Sequence, residues 1–117
     1  MTEPQLTNRL MKQLKDHGAL IFSAVGSKMQ PNGWPDRYVH THKWRGWLEF
    51  KVWDGCISKI QEFVIEQLNA RQRGSAWFVR FSQDEKTITI YEREGMQPLA
   101  SCKNSGVELL AVLNSIR

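Results

Sequence analysis

The segment Gly33–Trp53, which reads GWPDRYVHTHKWRGWLEFKVW, predicts the centre of the fold. Its last seven residues alternate between two kinds of side chain, as a strand with one buried face does. The apolar positions are Leu48, Phe50 and Val52, and the other face carries Trp47, Glu49, Lys51 and Trp53. Tyr38–His42 is predicted to be the partner strand, with Lys43–Gly46 as the turn. The segment is therefore predicted to form a β-hairpin.

The register of this hairpin decides whether Asp36 joins the two charged residues of the second strand. Directly opposed residues of an antiparallel pair lie on the same face. With an even-length turn, Asp36 opposes Trp53, shares the face of Glu49 and Lys51, and lies about 7–8 Å from Lys51 between Cα atoms. The same register places His40 opposite Glu49. An odd-length turn sends Asp36 to the opposite face. In the even-length register one face is predicted to be core and the other to be exposed to solvent.

Two carboxylates and a lysine on one strand face suit metal-assisted chemistry on a phosphate. Mg²⁺ and Mn²⁺ prefer oxygen ligands and keep several waters, so Asp36 and Glu49 with main-chain carbonyls are a natural ligand set. Lys51 projects from the same face, where an ammonium group can orient or deprotonate a metal-bound water or neutralise charge on a phosphoryl oxygen. Because E-x-K alone is common in exposed strands, the prediction depends on the whole hairpin.

The rest of the chain predicts a single domain over residues 1–117. The predicted helices are residues 4–17, 58–71 and 106–116, and the further strands are residues 19–25, 76–81 and 87–92. Residues 26–35 are predicted to be a loop and residues 94–105 to be irregular. Ser58 and Gln61 form an S-x-x-Q capping box at the start of the second helix. This order is typical of an α/β (α+β) sandwich around one mixed sheet.

Composition favours a polyanionic partner. The chain has 117 residues, with 16 Lys and Arg against 12 Asp and Glu, a formal net charge of +4. Such an excess attracts nucleic acid through its phosphates. The two cysteines form no disulfide framework, and neither a secretory leader nor an apolar run long enough to span a bilayer is visible. A cytoplasmic location is therefore expected.

The motifs taken together resemble the PD-(D/E)XK nuclease superfamily. G-W-P-D is followed, thirteen positions after Asp36, by the E-F-K that begins at Glu49. The continuation D-G-C-I-S-K-I-Q and the later W-F-V-R-F resemble the VRR-NUC branch and related Holliday-junction-resolvase-like nucleases. The resemblance covers residues 5–81. It implies a restriction-endonuclease-like αβββαβ core with a central mixed sheet flanked by helices, plus an extra C-terminal strand and helix.

The resemblance also implies an activity, which is Mg²⁺- or Mn²⁺-dependent hydrolysis of nucleic-acid phosphodiesters by an endonuclease. Asp36, Glu49 and the main-chain carbonyl of Phe50 would bind the metal, and Lys51 would position the attacking water. Gln61 matches a family glutamine that supports the lysine or a metal-bound water, although the capping box explains it equally well. Related nucleases often carry a metal-binding acid on the first helix.

This chain departs from that pattern in its first helix. The comparable positions hold Gln5 and Thr7, and the nearby acid is Glu3. Three arrangements stay open: Glu3 binds from just outside the helix, Gln5 acts through a water, or the ligand is absent.

Phosphate contacts are predicted for five basic residues that border the hairpin, namely Lys28, Arg37, Lys43, Arg45 and Lys59. The partner is expected to be nucleic acid, with DNA favoured over RNA. A chain this short has little room for its own specificity domain, so a homodimer or a helper protein is also expected.

Two other function classes stay open. The first is a module on the nuclease fold that binds nucleic acid without cleaving it. The second is a metalloprotein that acts on a small molecule, in which His40, His42 and a carboxylate bind zinc or iron.

Overall fold

The computed structural model describes residues 1–23, 32–93 and 95–116. The elements in chain order are α1 (Glu3–Asp16), β1 (Leu20–Ser23), β2 (Arg37–His40), β3 (Arg45–Lys51), α2 (Lys59–Arg71), β4 (Ala76–Phe81), β5 (Thr87–Tyr91), β6 (Ala100–Lys103) and α3 (Gly106–Ser115). The strands form one six-stranded sheet in sequence order. Neighbouring strands are antiparallel except for β3 and β4, which are parallel. The predicted α/β fold with a mixed sheet is confirmed.

The sheet is the middle layer of the molecule. The apolar stripe of α1, with Leu6, Leu10 and Leu14 at helical spacing, packs with α3 on one face of the sheet. Leu48 and Phe50 of β3 are buried in the same core, as predicted. The opposite face was expected to be exposed to solvent, and this is wrong: Glu49 is 5% exposed, because α2 covers that side of the sheet. On the other face α2 packs against β4 through a smaller cluster. None of the described helices is long and apolar enough to cross a bilayer.

The two edges of the sheet differ from expectation. Residues 94–105 were expected to be irregular, but they contain β6, whose sequence ASCK has neither the length nor the apolar alternation of a recognisable strand. The strand predicted at residues 19–25 is present as β1, and it lies at the edge of the sheet instead of being buried. Leu20 and Phe22 are 71% and 61% exposed. Residues 24–31, which include most of the predicted loop, lie outside the described residues.

Helix α2 buries a different face from the one that its apolar residues suggest. The sequence predicts an apolar face that includes Ile60 and Phe63, but these two residues are 43% and 58% exposed. The buried residue is Ile65, which packs with Ala76 and Phe78 of β4. The expectation was wrong because α2 carries apolar residues around most of its circumference, and the position of β4 selects which of them are covered.

Gly46 marks a close approach between β3 and the residue before β4. A Cβ at this position would lie 2.5 Å from the carbonyl oxygen of Ser75, and the same oxygen accepts the Trp47 N–H at 2.8 Å. Gly46→Ala is expected to lower the free energy of unfolding by about 1–3 kcal/mol, because the two backbones cannot separate without losing that bond. Urea denaturation measures the loss. The control is Gly55→Ala, whose Cβ would meet nothing closer than 3.3 Å; equal losses in the two variants would contradict the prediction.

Candidate active site

The register of the β2–β3 hairpin brings Asp36 opposite Glu49. The terminal pair of the ladder is Arg37 with Leu48. Asp36 comes just before Arg37, and Glu49 comes just after Leu48. Continuing the antiparallel register by one position therefore places Asp36 and Glu49 opposite each other. The predicted sharing of one face by Asp36, Glu49 and Lys51 is confirmed. The predicted register itself is wrong by four positions, since it opposed Asp36 to Trp53.

The turn explains this difference in register. His40 pairs with Arg45, and the connection is the four residues Thr41–Trp44. Within it the Thr41 N–H donates to the Trp44 carbonyl at 2.7 Å, and the Thr41 hydroxyl accepts the Trp44 N–H at 2.9 Å. The Trp44 ring is buried, and its Nε1 donates to the Gly74 carbonyl at 2.8 Å. These bonds close the turn earlier along the chain than the strand pattern suggests, because a threonine can hydrogen-bond its own turn.

A cleft of about 490 Å³ opens between the end of β3 and the start of α2. Asp36 and Lys51 line it on the sheet side, and Ser58 and Gln61 line it on the helix side. The predicted capping box of α2 is confirmed: Ser58 Oγ accepts the Gln61 N–H and Gln61 Oε1 accepts the Ser58 N–H, each at 3.1 Å. Because its oxygen already caps the helix, Gln61 is left with its NH₂ group, a donor, to offer to the cleft.

Glu49 is a buried carboxylate that forms an ion pair with Lys51. Its residue is 5% exposed, and its Oε2 lies 4.0 Å from Lys51 Nζ, an ion pair without a hydrogen bond. Burial, and next the charge of Asp36, raise its pKa to about 7, while Lys51 opposes the rise; Glu3 adds a smaller increase. Two carboxylates close enough to repel each other suit a bound cation, which stabilises the charged form of both.

Glu3 approaches the same carboxylates from the first helix. A second cleft, of about 100 Å³, is lined by Glu3, Thr7, Asp36 and Phe50, among others. Gln5 is engaged elsewhere, because its side chain accepts the Thr2 N–H at 2.9 Å in the capping box of α1. The geometry therefore favours Glu3 as the acid of the first helix. Thr7 Oγ1 is buried and has no hydrogen-bond partner among the described residues.

The donor set fits a hard divalent ion held partly by water. In the described ranges, no three Asp, Glu, His or Cys side chains are grouped to hold a metal by themselves. The oxygens that the fold brings together are the carboxylates of Asp36 and Glu49, with Glu3 nearby and the Phe50 carbonyl on β3. Mg²⁺ is commonly held by one or two carboxylates and several waters, so the residues present fit the ion.

The basic residues predicted to contact phosphate are placed differently from one another. Arg37 is buried, and its guanidinium donates to Asn8 of α1 at 3.3 Å, which gives it a structural role. Lys43 and Arg45 lie at the opposite end of the hairpin from Asp36, so the expectation that they border the site is wrong. Lys59 is exposed at the first turn of α2. Lys28 lies outside the described residues.

The two strand histidines do not meet the carboxylates. His40 pairs with Arg45, not with Glu49 as the predicted register required. His40 lies four positions after Asp36 along extended chain, a distance of about 13 Å. A metal centre formed by His40 and His42 would therefore lack the Glu49 carboxylate that the predicted register placed beside it.

Arg80 is a residue of this region that sequence reasoning missed. It is paired with Lys51 in the β3–β4 ladder, and its Nη1 donates to the carbonyls of Val52 at 2.9 Å and Gly55 at 2.8 Å. These hydrogen bonds hold the loop between Lys51 and α2 against β4. The available signal was a lone charge inside the apolar run AWFVRF, which predicts a partnered side chain.

No protein-family model and no curated protein sequence matches the chain. Among solved structures it is similar to Hjc, a Holliday junction resolvase from the archaeal hyperthermophile Archaeoglobus fulgidus. The TM-score is 0.50 and the sequence identity 19%, and the match covers 75% of this chain and 72% of that one. At this identity the likeness concerns the backbone arrangement. The chain therefore has a resolvase-like nuclease fold.

Proposed function

We propose that the protein is a metal-dependent endonuclease of the PD-(D/E)XK superfamily that hydrolyses phosphodiester bonds in branched or flapped DNA. The observation that carries the proposal is the meeting of Asp36, Glu49 and Lys51 on one strand face beside an open cleft. The resolvase-like fold supports DNA as the substrate, and the net charge of +4 is consistent with it. Assignment to the VRR-NUC branch rests only on the resemblance of the D-G-C-I-S-K-I-Q and W-F-V-R-F motifs.

Asp36, Glu49 and the Phe50 carbonyl would hold Mg²⁺ or Mn²⁺, with Glu3 as a further acid. The bound ion would supply Lewis-acid stabilisation of the phosphate and a water of lowered pKa. Lys51 Nζ would hold the attacking water in line with the phosphorus and donate to the phosphoryl oxygen as its charge grows. The Gln61 NH₂ group would donate to that water or to a neighbouring phosphate oxygen.

The direct test is a cleavage assay on labelled four-way, flapped, duplex and single-stranded DNA, and on matching RNA. Cleavage of a branched or flapped DNA is expected with Mg²⁺ or Mn²⁺, and none with EDTA, because the two carboxylates alone do not polarise a phosphate. Absence of cleavage on every substrate with both ions would refute the enzyme and favour the non-catalytic binding module. Zn²⁺-dependent activity lost in His40→Ala would favour the histidine metalloprotein instead.

A further inference from the structure

A second groove adjoins the cleft along α2. Its volume is about 480 Å³, within the range of small-molecule sites. It is lined by Trp34, Phe63, Val64, Gln67, Leu68 and Arg71. Trp34 lines both this groove and the cleft that holds Asp36 and Lys51, so the two lie side by side at this residue. A ligand in the cleft therefore lies close enough to the groove for a neighbouring part of the same ligand to reach it.

One side of α2 carries a row of four side chains, of which Phe63, Gln67 and Arg71 line this groove. Lys59, Phe63, Gln67 and Arg71 follow each other at intervals of four residues and so lie on one face of the helix. The row has a cation at each end, an aromatic ring and an amide between them, and Lys59 is at the end nearest the cleft. Phe63 is 58% exposed, a large apolar surface that the fold itself leaves uncovered.

The groove is built from positioned groups. The Trp34 and Trp47 rings meet edge to face, with centroids 5.7 Å apart, and Trp47 makes a similar contact with Tyr38 at 5.1 Å. Arg71 Nη1 donates to Gln67 Oε1 at 2.8 Å, which leaves the Gln67 NH₂ group as a hydrogen-bond donor. Two aromatic rings and an oriented amide donor are the groups that recognise an unstacked nucleobase.

We infer that this groove binds an unpaired base of the nucleic-acid substrate, next to the scissile phosphate; the inference rests on the proposed function. The base stacks on Phe63 and Trp34, and the Gln67 NH₂ group donates to a ring nitrogen or carbonyl of the base. Lys59 and Arg71 contact phosphates farther along the same strand in the two directions, because twelve positions of helix, roughly 18 Å, separate them. A fully paired duplex cannot place a base there, so the groove selects substrates with a single-stranded arm.

Charge is what favours a nucleotide over a protein in this groove. A protein partner or a second copy of the chain would also cover Phe63. Neither explains why cations stand at both ends of the row or why the groove lies beside a cleft lined by Lys51. The phosphates of one strand complement these cations while its base covers the ring.

The test measures DNA affinity in EDTA, by fluorescence anisotropy, for a flapped DNA and a duplex of equal length. Phe63→Leu is expected to weaken binding of the flapped DNA by about 5- to 100-fold, because stacking is lost while apolar area is kept, and to leave duplex binding unchanged. Phe63→Tyr, which keeps the ring, is expected to stay within about 2-fold. The control is Val107→Ala, a 53% exposed apolar residue on α3, across the sheet.

Three results would overturn the inference. The first is equal affinity of Phe63→Leu and the unchanged protein for flapped DNA. The second is an equal loss for flapped DNA and duplex. The third is a change in oligomeric state in Phe63→Leu, measured by sedimentation, with DNA affinity unchanged, which would assign the groove to a protein partner. Failure of the proposed function gives a different result, since the unchanged protein would then cleave no substrate with Mg²⁺ or Mn²⁺.

Discussion

Replacing Lys51 with methionine is expected to slow DNA cleavage by about two to three orders of magnitude while DNA binding is retained. Lys51 is expected to act on charge that develops during the reaction, and removal of one such electrostatic donor typically has an effect of this size. Its side chain is 14% exposed and faces the cleft, so its ammonium group is only weakly screened by solvent. Methionine keeps most of the buried stem and removes the charge.

The measurement is single-turnover cleavage at saturating protein and Mn²⁺, which separates chemistry from binding. Lys86→Met is the matched control, because Lys86 is exposed in the turn before β5. A Lys51→Met protein that cleaves within about threefold of the unchanged protein would remove Lys51 from the proposed chemistry. If DNA binding were lost in parallel with cleavage, Lys51 would instead be assigned to binding the DNA substrate before the reaction.

Glu49→Gln is expected to abolish metal-dependent cleavage and, in EDTA, to stabilise the fold above pH 7. The pKa of Glu49 is about 7 in the folded chain, chiefly because the carboxyl is buried, against an ordinary value of 4.5. As pH rises from 4.5 to 7, Glu49 ionises in the unfolded chain but stays largely protonated in the folded chain. The free energy of unfolding therefore falls by a total of about 3 kcal/mol across this window and stays level above it.

Glutamine has no proton to lose, so the variant should lack this decline. Urea denaturation in EDTA at pH 4.5 and pH 8 measures it: the variant and the unchanged protein are expected to converge at the lower pH and to differ at the higher one. Glu66→Gln makes the same chemical change at a partly exposed position of α2, away from the cleft. A Glu49→Gln protein with the pH profile of the unchanged chain would contradict the proposed burial of this carboxyl.

A carboxylate that costs the fold stability at neutral pH needs a compensating role, and a divalent cation provides one. The cation favours the ionised form, so metal binding and protonation of Glu49 oppose each other. Metal affinity should consequently weaken as pH falls below 7. The same residue then limits stability without metal and permits activity with it.

The sequence predicted the parts of the fold that local patterns control. Strand β4 is found at the predicted residues 76–81, and the α2 capping box has both of its bonds. The face shared by Asp36 and Lys51 follows from the period of two in a strand and an even-length turn. Strand β6 was missed because it is stabilised by pairing with β5, a tertiary contact that leaves no periodic trace in four residues.

The candidate site was predicted less completely than the fold, because its parts come from distant segments. From the sequence, Glu3 is one of three options for the metal ligand of the first helix. Only the packing of α1 against the sheet places it beside Asp36. The lone charge of Arg80 in an apolar strand indicates that it has a partner, but it does not identify the loop after Lys51 as that partner, since the contact joins residues 25–28 positions apart. The exposure of Phe63 likewise depends on where β4 lies.

The turn Thr41–Trp44 has a consequence for how this site can change. It lies roughly 13 Å or more from Asp36 along the hairpin, yet it sets which residue faces Glu49. Slipping the hairpin by one position moves Asp36 to the other side of the sheet, and a slip of two positions keeps the side but moves Asp36 about 7 Å along it. The hydroxyl of Thr41 thus helps to set the spacing between Asp36 and Glu49, and substitutions at the far end of the hairpin are expected to change the proposed catalysis without contacting the proposed metal or DNA.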